Sequence, residues 1–372
     1  MPDRSSDFAR PIGIWRHLHI DPWLLLLLLL LTVFGLVVLY SASGQSYATL
    51  AKQGRFLVIA YVGMLVIAQL DVERIKRLAP LGYLLSIGLL IAVPIVGVSA
   101  KGAQRWLDLG GFRFQPAEVL KLVVPMAVAW YFSGRALPPR FKHIVISLGT
   151  IVLPVLLIAQ QPDLGTSILI AASGLFVLFL AGIGWRFIFG AVGLLVVSAY
   201  PFWQYILLDY QRQRILTLLN PESDKLGAGW HIIQSKTAIG SGGWEGKGWL
   251  NGTQSQLDFL PEGHTDFIIA VLAEEWGLNG VLILLTIYLG IIARGLWIGI
   301  NAQHSFGRLL AGSITLTFFV YVFVNMGMVS GLLPVVGVPL PLVSQGGTSL
   351  VTLLAGFGLL MAISTEKRVM GQ

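Results

Sequence analysis

Residues 22–42 read PWLLLLLLLLTVFGLVVLYSA, without a single charged side chain. A helix needs about 20 mostly apolar residues to cross the hydrocarbon core of a bilayer, and this run supplies them. Nine further apolar stretches follow at roughly 54–70, 78–99, 117–133, 143–160, 164–183, 186–207, 266–298, 308–332 and 346–365. The pattern predicts an all-α integral membrane protein of about ten transmembrane helices, forming one polytopic domain over 1–372. Spans 1–7 fall within 22–208, a large polar loop occupies 209–265, and spans 8–10 fall within 266–366. The eighth stretch is too long for one straight crossing, and Glu274, Glu275 and Gly277 interrupt it.

Composition agrees. Of 372 residues, 55% are hydrophobic and only 12% charged, where a soluble domain carries about 25% charge. A net charge of +7 would suit nucleic acid, but the basic residues sit in short links between apolar runs, which is how topology is written. Nucleic-acid binding is therefore not the expectation. There is no cysteine, so disulfides and thiolate metal sites are excluded. The six histidines lack metal-ligand spacing, and no phosphate-binding glycine motif opens a helix. The first run lacks a small-residue cleavage site and reads as a span that stays.

Ten spans put both termini on one side. The termini and even-numbered links hold Arg4, Arg10, Arg16, Arg74, Lys76, Arg77, Arg135, Arg140, Lys142, Arg186, Arg294, Arg308, Lys367 and Arg368. The short odd-numbered links hold only Lys52, Arg55, Lys101, Arg105 and Arg113. Positive charge favours the cytoplasm and long loops count little, so both termini are expected in the cytoplasm. The 209–265 loop and the 100–116 link then share the outer face. The loop has eight glycines between Gly227 and Gly252 and no counterpart elsewhere in the chain, so no transporter-like internal repeat is legible.

The loop ends in Pro261-Glu262-Gly263-His264-Thr265-Asp266-Phe267. Asp266 stands where apolar sequence resumes, and partial desolvation makes a carboxylate a stronger base. Thr265 and Asp266 equally suit a helix N-cap. Glu118 and Lys121 lie three apart at the start of the fourth span, on one helical face. Intramembrane charges point to function by default, although an ion pair can also serve only to join helices. In the link before them, Lys101 and Arg105 could clamp a diphosphate and Trp106 suits the interfacial belt. Asp163 opens the sixth span as a site residue or a helix N-terminal charge. Arg212 and Arg214 open the long loop, where they could meet phosphates or lipid headgroups. Prolines 334, 339 and 341 and the glycines to Gly347 break helical structure before the last span, and irregular backbone at membrane depth must line a cavity or be buried in protein.

Taken in order, these stretches resemble the SEDS family (shape, elongation, division and sporulation), in its cell-elongation branch. The resemblance runs through Lys101–Gly110, Phe114–Glu118, Gln161–Ser167, Asp209–Arg214, Asn220–Asp224, Gly240–Gly243, Gly252–Gln256, His264–Phe267 and Pro339–Gly347. One departure is Gln345, where the family usually has tyrosine. The resemblance implies a peptidoglycan glycosyltransferase in the bacterial cytoplasmic membrane. It would polymerise lipid II, a disaccharide-pentapeptide on undecaprenyl diphosphate, at the outer face during cell elongation. The family's essential aspartate falls on Asp266, with the role of deprotonating the acceptor hydroxyl. Lys101, Arg105, Arg212 and Arg214 are the candidates for the departing diphosphate, and the Glu118–Lys121 pair also matches family positions and would shape the lipid cavity. Implied partners are a class B penicillin-binding protein transpeptidase and other membrane proteins of the elongation complex. Whether a divalent cation, magnesium or manganese, assists the leaving diphosphate stays open. The competing activities are a lipid II flippase and a noncatalytic scaffold. A flippase needs a polar path through the bilayer, and the inner half offers few charges.

Overall fold

The computed structural model describes residues 18–100, 103–108, 110, 113–224, 227–256 and 262–366. Each of the ten apolar stretches is a helix: α1 (Pro22–Ala42), α2 (Tyr47–Ala68), α3 (Val72–Val96), α4 (Pro116–Ser133), α5 (Phe141–Ala159), α6 (Leu164–Leu180), α7 (Trp185–Pro201), then α11 (Ile268–Asn301), α12 (Ser305–Val329) and α13 (Thr348–Thr365). Seven of them are long and apolar enough to cross a membrane. Of the other three, α6 and α7 are 17 residues long and α4 carries the buried charges Glu118 and Lys121.

Helix starts follow local chemistry. Asp21 accepts from Leu24 N at 3.0 Å with Pro22 at the first helical position, and Asp71 caps α3. Asp21 does double duty: Arg294 of α11 meets it through two nitrogens, at 2.7 and 3.1 Å, tying α1 to α11. α2 and α3 begin six or more residues ahead of their apolar runs. The first two turns of these helices hold Lys52, Glu73, Arg74 and Lys76, which are polar yet fully helical.

The buried centre is α4, α12 and α13. Lipid tails are as apolar as leucine, so helices associate through close packing at small residues. A methyl on Gly358 of α13 would lie 2.5 Å from Met64 O of α2, and one on Gly295 of α11 would lie 2.3 Å from Thr315 Oγ1 of α12. By contrast, α7 buries none of its residues.

Between α3 and α4 runs a small antiparallel sheet, β1 (Val98–Ala100), β2 (Ala103–Asp108) and β3 (Arg113–Phe114), in the order β1-β2-β3. The 209–265 connection is largely helical rather than an irregular glycine-rich loop: α8 (Asp209–Leu219), a 3-10 turn at Pro221–Asp224, α9 (Ala228–Gly242) and the short α10 (Thr253–Gln256). α9 docks on the bundle, with Ile232 and Ala238 buried and Ser235 Oγ donating to Val329 O at 2.8 Å.

The interruption in the eighth stretch falls at Gly277, whose φ of 63° and ψ of −157° break α11 into two helical segments. The break frees backbone groups, and the 243–248 segment takes them up. Lys247 N and Gly248 N donate to Glu274 O and Glu275 O at 2.9 Å each, while Leu278 N and Asn279 N donate to Gly243 O and Trp244 O at 2.9 and 3.2 Å. The glycines are there for this approach: a methyl on Gly242 would meet Ala273 O at 1.9 Å, and one on Gly246 would meet Glu275 O at 2.2 Å. The two buried acids are engaged as well. Glu274 takes Lys247 Nζ at 2.7 Å, and Glu275 takes Ser41 Oγ at 2.5 Å.

Candidate active site

One cavity of about 420 Å³ gathers most of the polar residues singled out above. Arg105 and Trp106 reach it from β2, Glu118 and Lys121 from α4, Asp163 from the start of α6, Arg214 from α8, and Asp266 from the turn before α11. Arg212 is not among its walls: it pairs with Asp209 at 3.7 Å and donates to Gln204 O at 2.9 Å. At i and i+2 on a helix, Arg212 and Arg214 cannot share a face. Lys101 lies outside the described residues.

Asp266 sits at the end of a tight turn. Thr265 N and Phe267 N both donate to Glu262 O, at 3.0 and 3.3 Å, and Thr265 Oγ1 donates to Glu262 Oε2 at 2.7 Å. The residue at the cap position of α11 is Phe267, one place beyond Asp266. The carboxylate faces the opposite wall, where a methyl on Gly337 would stand 3.5 Å from Asp266 Oδ2. Gly337 has φ 72°, a conformation glycine adopts without cost.

Three groups fix the Asp266 backbone and its neighbours. Asn325 of α12 is fully buried and donates its amide to Asp266 O at 2.8 Å and to Val338 O at 2.7 Å, joining the turn to the 336–339 wall. Ser344 Oγ donates to Thr265 O at 2.5 Å, and His231 of α9 stacks on Phe267 with ring centres 5.4 Å apart. These residues were not apparent from sequence, although Asn325 stood as a lone amide in an apolar span, which is a signal by the ordinary cost of burying polar groups.

The cationic side is held differently. Arg105 donates Nε to Gln161 O at 2.9 Å and Nη2 to Pro162 O, and its Nη1 lies 3.9 Å from Asp163 Oδ2. Asp163 also accepts from Gln115 Nε2 at 3.1 Å and from Thr166 N at 3.2 Å, so it caps α6 and orients Arg105 together. Glu118 and Lys121 meet at 2.7 Å, both buried, and the ammonium lies 5.3 Å from the centre of the Tyr321 ring. Tyr321, Gln115, Glu262 and Gln345 complete the polar wall. Among the described residues, no three His, Asp or Glu side chains are grouped to hold a metal.

A second, apolar groove of about 480 Å³ runs between α2, α3, α4 and α13, lined by residues such as Phe56, Ile75, Val123, Met126 and Ala355. It shares Glu118 and Thr348 with the polar cavity. Lys121 and Tyr321 also line a smaller, mostly apolar space of about 40 Å³ with Ile314, Phe318 and Phe357. The arrangement fits an amphipathic substrate whose anionic head lies against Arg105 and Arg214 while its chain lies in the groove.

Comparison with known proteins points the same way. The sequence pattern of the FtsW/RodA/SpoVE cell cycle proteins matches residues 22–369. The chain is 55% identical to the peptidoglycan glycosyltransferase MrdB of Escherichia coli K12, over 96% of this chain and 97% of that protein. It is 37% identical to the probable peptidoglycan glycosyltransferase FtsW of Geobacter metallireducens, over 94% of this chain and 95% of that protein. Among solved structures it resembles a chain of a peptidoglycan synthase complex that coordinates polymerization and crosslinking, with a TM-score of 0.83 and 30% identity over 94% of this chain and 98% of that one. The rod shape determining protein RodA of Thermus thermophilus matches with a TM-score of 0.71 and 28% identity, over 94% of this chain and 97% of that one.

Proposed function

We propose, for a chain that belongs to the FtsW/RodA/SpoVE family of cell cycle proteins, that it is a peptidoglycan glycosyltransferase polymerising lipid II with Asp266 as general base. The observation that carries this reading is the junction of a charged cavity holding Asp266 with an apolar groove, through the shared residues Glu118 and Thr348. A polyprenyl chain in the groove brings its diphosphate to the cavity, where Arg105 and Arg214 face it.

The reaction then follows from the positions of the charges. Asp266 takes the proton of the acceptor sugar hydroxyl, and that oxygen attacks the anomeric carbon of the donor. The new carbon–oxygen bond forms as the bond to the diphosphate breaks, with its electron pair leaving on the phosphate oxygen. Guanidinium groups already in place stabilise that charge as it develops, without reorganising solvent. Arg105 is fixed for this role by Asp163 and two carbonyls. Among the described residues, the basic groups lining the cavity are Arg105, Arg214 and Lys121, the last balanced by Glu118.

The distribution of basic residues supports an inner-membrane orientation with both termini in the cytoplasm and the cavity at the outer face. The likeness to a polymerising and crosslinking complex supports a transpeptidase partner of the class B penicillin-binding type. The scarcity of charges in the inner half of the spans favours an enzyme over a flippase, because a flippase needs a polar route onward.

The test is Asp266→Asn in the purified chain supplied with lipid II, with products separated on a gel. The variant is expected to keep its fold and melting temperature and to lose glycan polymerisation by at least 100-fold, the lower range for a removed general base (about 10²–10⁴). Full-length polymer from the Asn variant would overturn the assignment of Asp266.

A further inference from the structure

The segment Ser344–Gly346 is fastened on both sides of one residue. Gln53 of α2, itself 1% exposed, donates Nε2 to Ser344 O at 3.1 Å and accepts from Gly346 N at 3.1 Å. From the other side, Gln345 N donates to His264 O at 3.0 Å. The backbone on either side of Gln345, and its own N–H, are thus held by protein groups. Its side chain differs: it is half-buried, lines the cavity and makes no hydrogen bond to the described residues.

A carboxamide carries two donor hydrogens and a two-lone-pair acceptor and has no charge. The charged walls suit a diphosphate and a proton. A neutral donor and acceptor suits hydroxyl and acylamino groups on a sugar. The position of Gln345 narrows which sugar. Thr348, at the mouth of the apolar groove, is three residues away, at most about 11 Å of extended chain. The His264 contact puts Gln345 two residues from Asp266 on the other side. Gln345 thus stands between the end of the lipid chain and the base, where the sugar joined to the diphosphate has to lie.

We propose that Gln345 is a substrate-binding residue that hydrogen-bonds the donor sugar next to the diphosphate, and that Gln53 is its positioning residue. The proposal rests on the glycosyltransferase reading above.

The experiment measures kcat and KM for lipid II with the purified full chain and with Gln345→Ala, Gln53→Ala and the double variant, alongside their melting temperatures. Gln345→Ala is expected to raise KM about tenfold with kcat within twofold and an unchanged melting temperature, since the side chain supports nothing else. Gln53→Ala is expected to raise KM as well, and the double variant to be no worse in KM than Gln345→Ala alone, because the two act through one contact. An unchanged KM in Gln345→Ala would overturn the proposal, as would a loss that appears in kcat and melting temperature instead. Additive effects in the double variant would overturn the link to Gln53. Failure of the unaltered chain to polymerise lipid II would instead overturn the activity on which the proposal rests.

Discussion

Lys121 and Glu118 illustrate how one residue can be held by another at a cost that only the pair can bear. Both are buried and meet at 2.7 Å. Removing one partner of a buried pair leaves the other charge uncompensated, a loss of about 3–5 kcal/mol. Lys121→Ala is therefore expected to lower the melting temperature and polymerisation together. The apolar double replacement Glu118→Leu with Lys121→Met should recover stability, because well-packed apolar side chains often replace a buried pair without loss. A normal melting temperature in Lys121→Ala would refute the buried pair. The pair was legible because charges in an apolar run are conspicuous at helical spacing. Asp266 was only half legible: its place at a polar–apolar boundary suited a cap as well as a base. What holds it in place is long-range and absent from local sequence. Asn325, 59 residues away, grips its carbonyl, while Phe267 occupies the cap. Arg212 shows the converse, a cation well placed in sequence whose helix turns it toward Asp209.

At the scale of elements, the apolar runs were readable because a bilayer leaves a helix no alternative: its backbone must bond within itself. The polar connection was not readable in the same way. Gly240 and Gly242 look like breakers in a polar stretch, yet both lie in α9, and Gly242 is there because Ala273 O of α11 comes so close. Tertiary contact decided that helix, and contact is not local. Gly277 is the matching element on the other side. Its φ of 63° with ψ of −157° is open essentially to glycine alone, and a methyl there would lie 2.5 Å from Gly246 N and Trp244 O, both backbone atoms. Such a conformation costs other residues about 1–3 kcal/mol before the clash is counted. Gly277→Ala is expected to lower stability by at least that much and to expose the 243–252 segment to protease ahead of global unfolding, since Gly243 O, Trp244 O, Lys247 N and Gly248 N of that segment bond to the groups the break frees. Equal proteolysis of variant and parent would show that the break is not what holds the segment.

At the scale of the molecule, the polar cavity and the apolar groove make one site only if a single substrate occupies both. Sequence gave the polar half, since charges and prolines mark it, but a groove formed by ordinary apolar side chains of α2, α3, α4 and α13 has no sequence signature. Its volume of about 480 Å³ is in the range that binds a small molecule, about 300–1,000 Å³, which is room for the part of a polyprenyl chain that the proposed function places nearest the diphosphate, with the remainder in lipid. Filling it should then weaken substrate binding without touching the chemistry. Ala355 of α13 lines the groove and is not a wall of the charged cavity, and Ala355→Trp would take up much of the space there. We expect KM for lipid II to rise about tenfold or more, with kcat within a few-fold, because the lost contacts are made equally in ground and transition states. Leu194→Trp is the control for adding an indole to the apolar exterior, because Leu194 is 69% exposed on α7, and it should change neither constant. If Ala355→Trp leaves KM where it was, the groove does not carry the lipid, and the chain must reach Asp266 by another path.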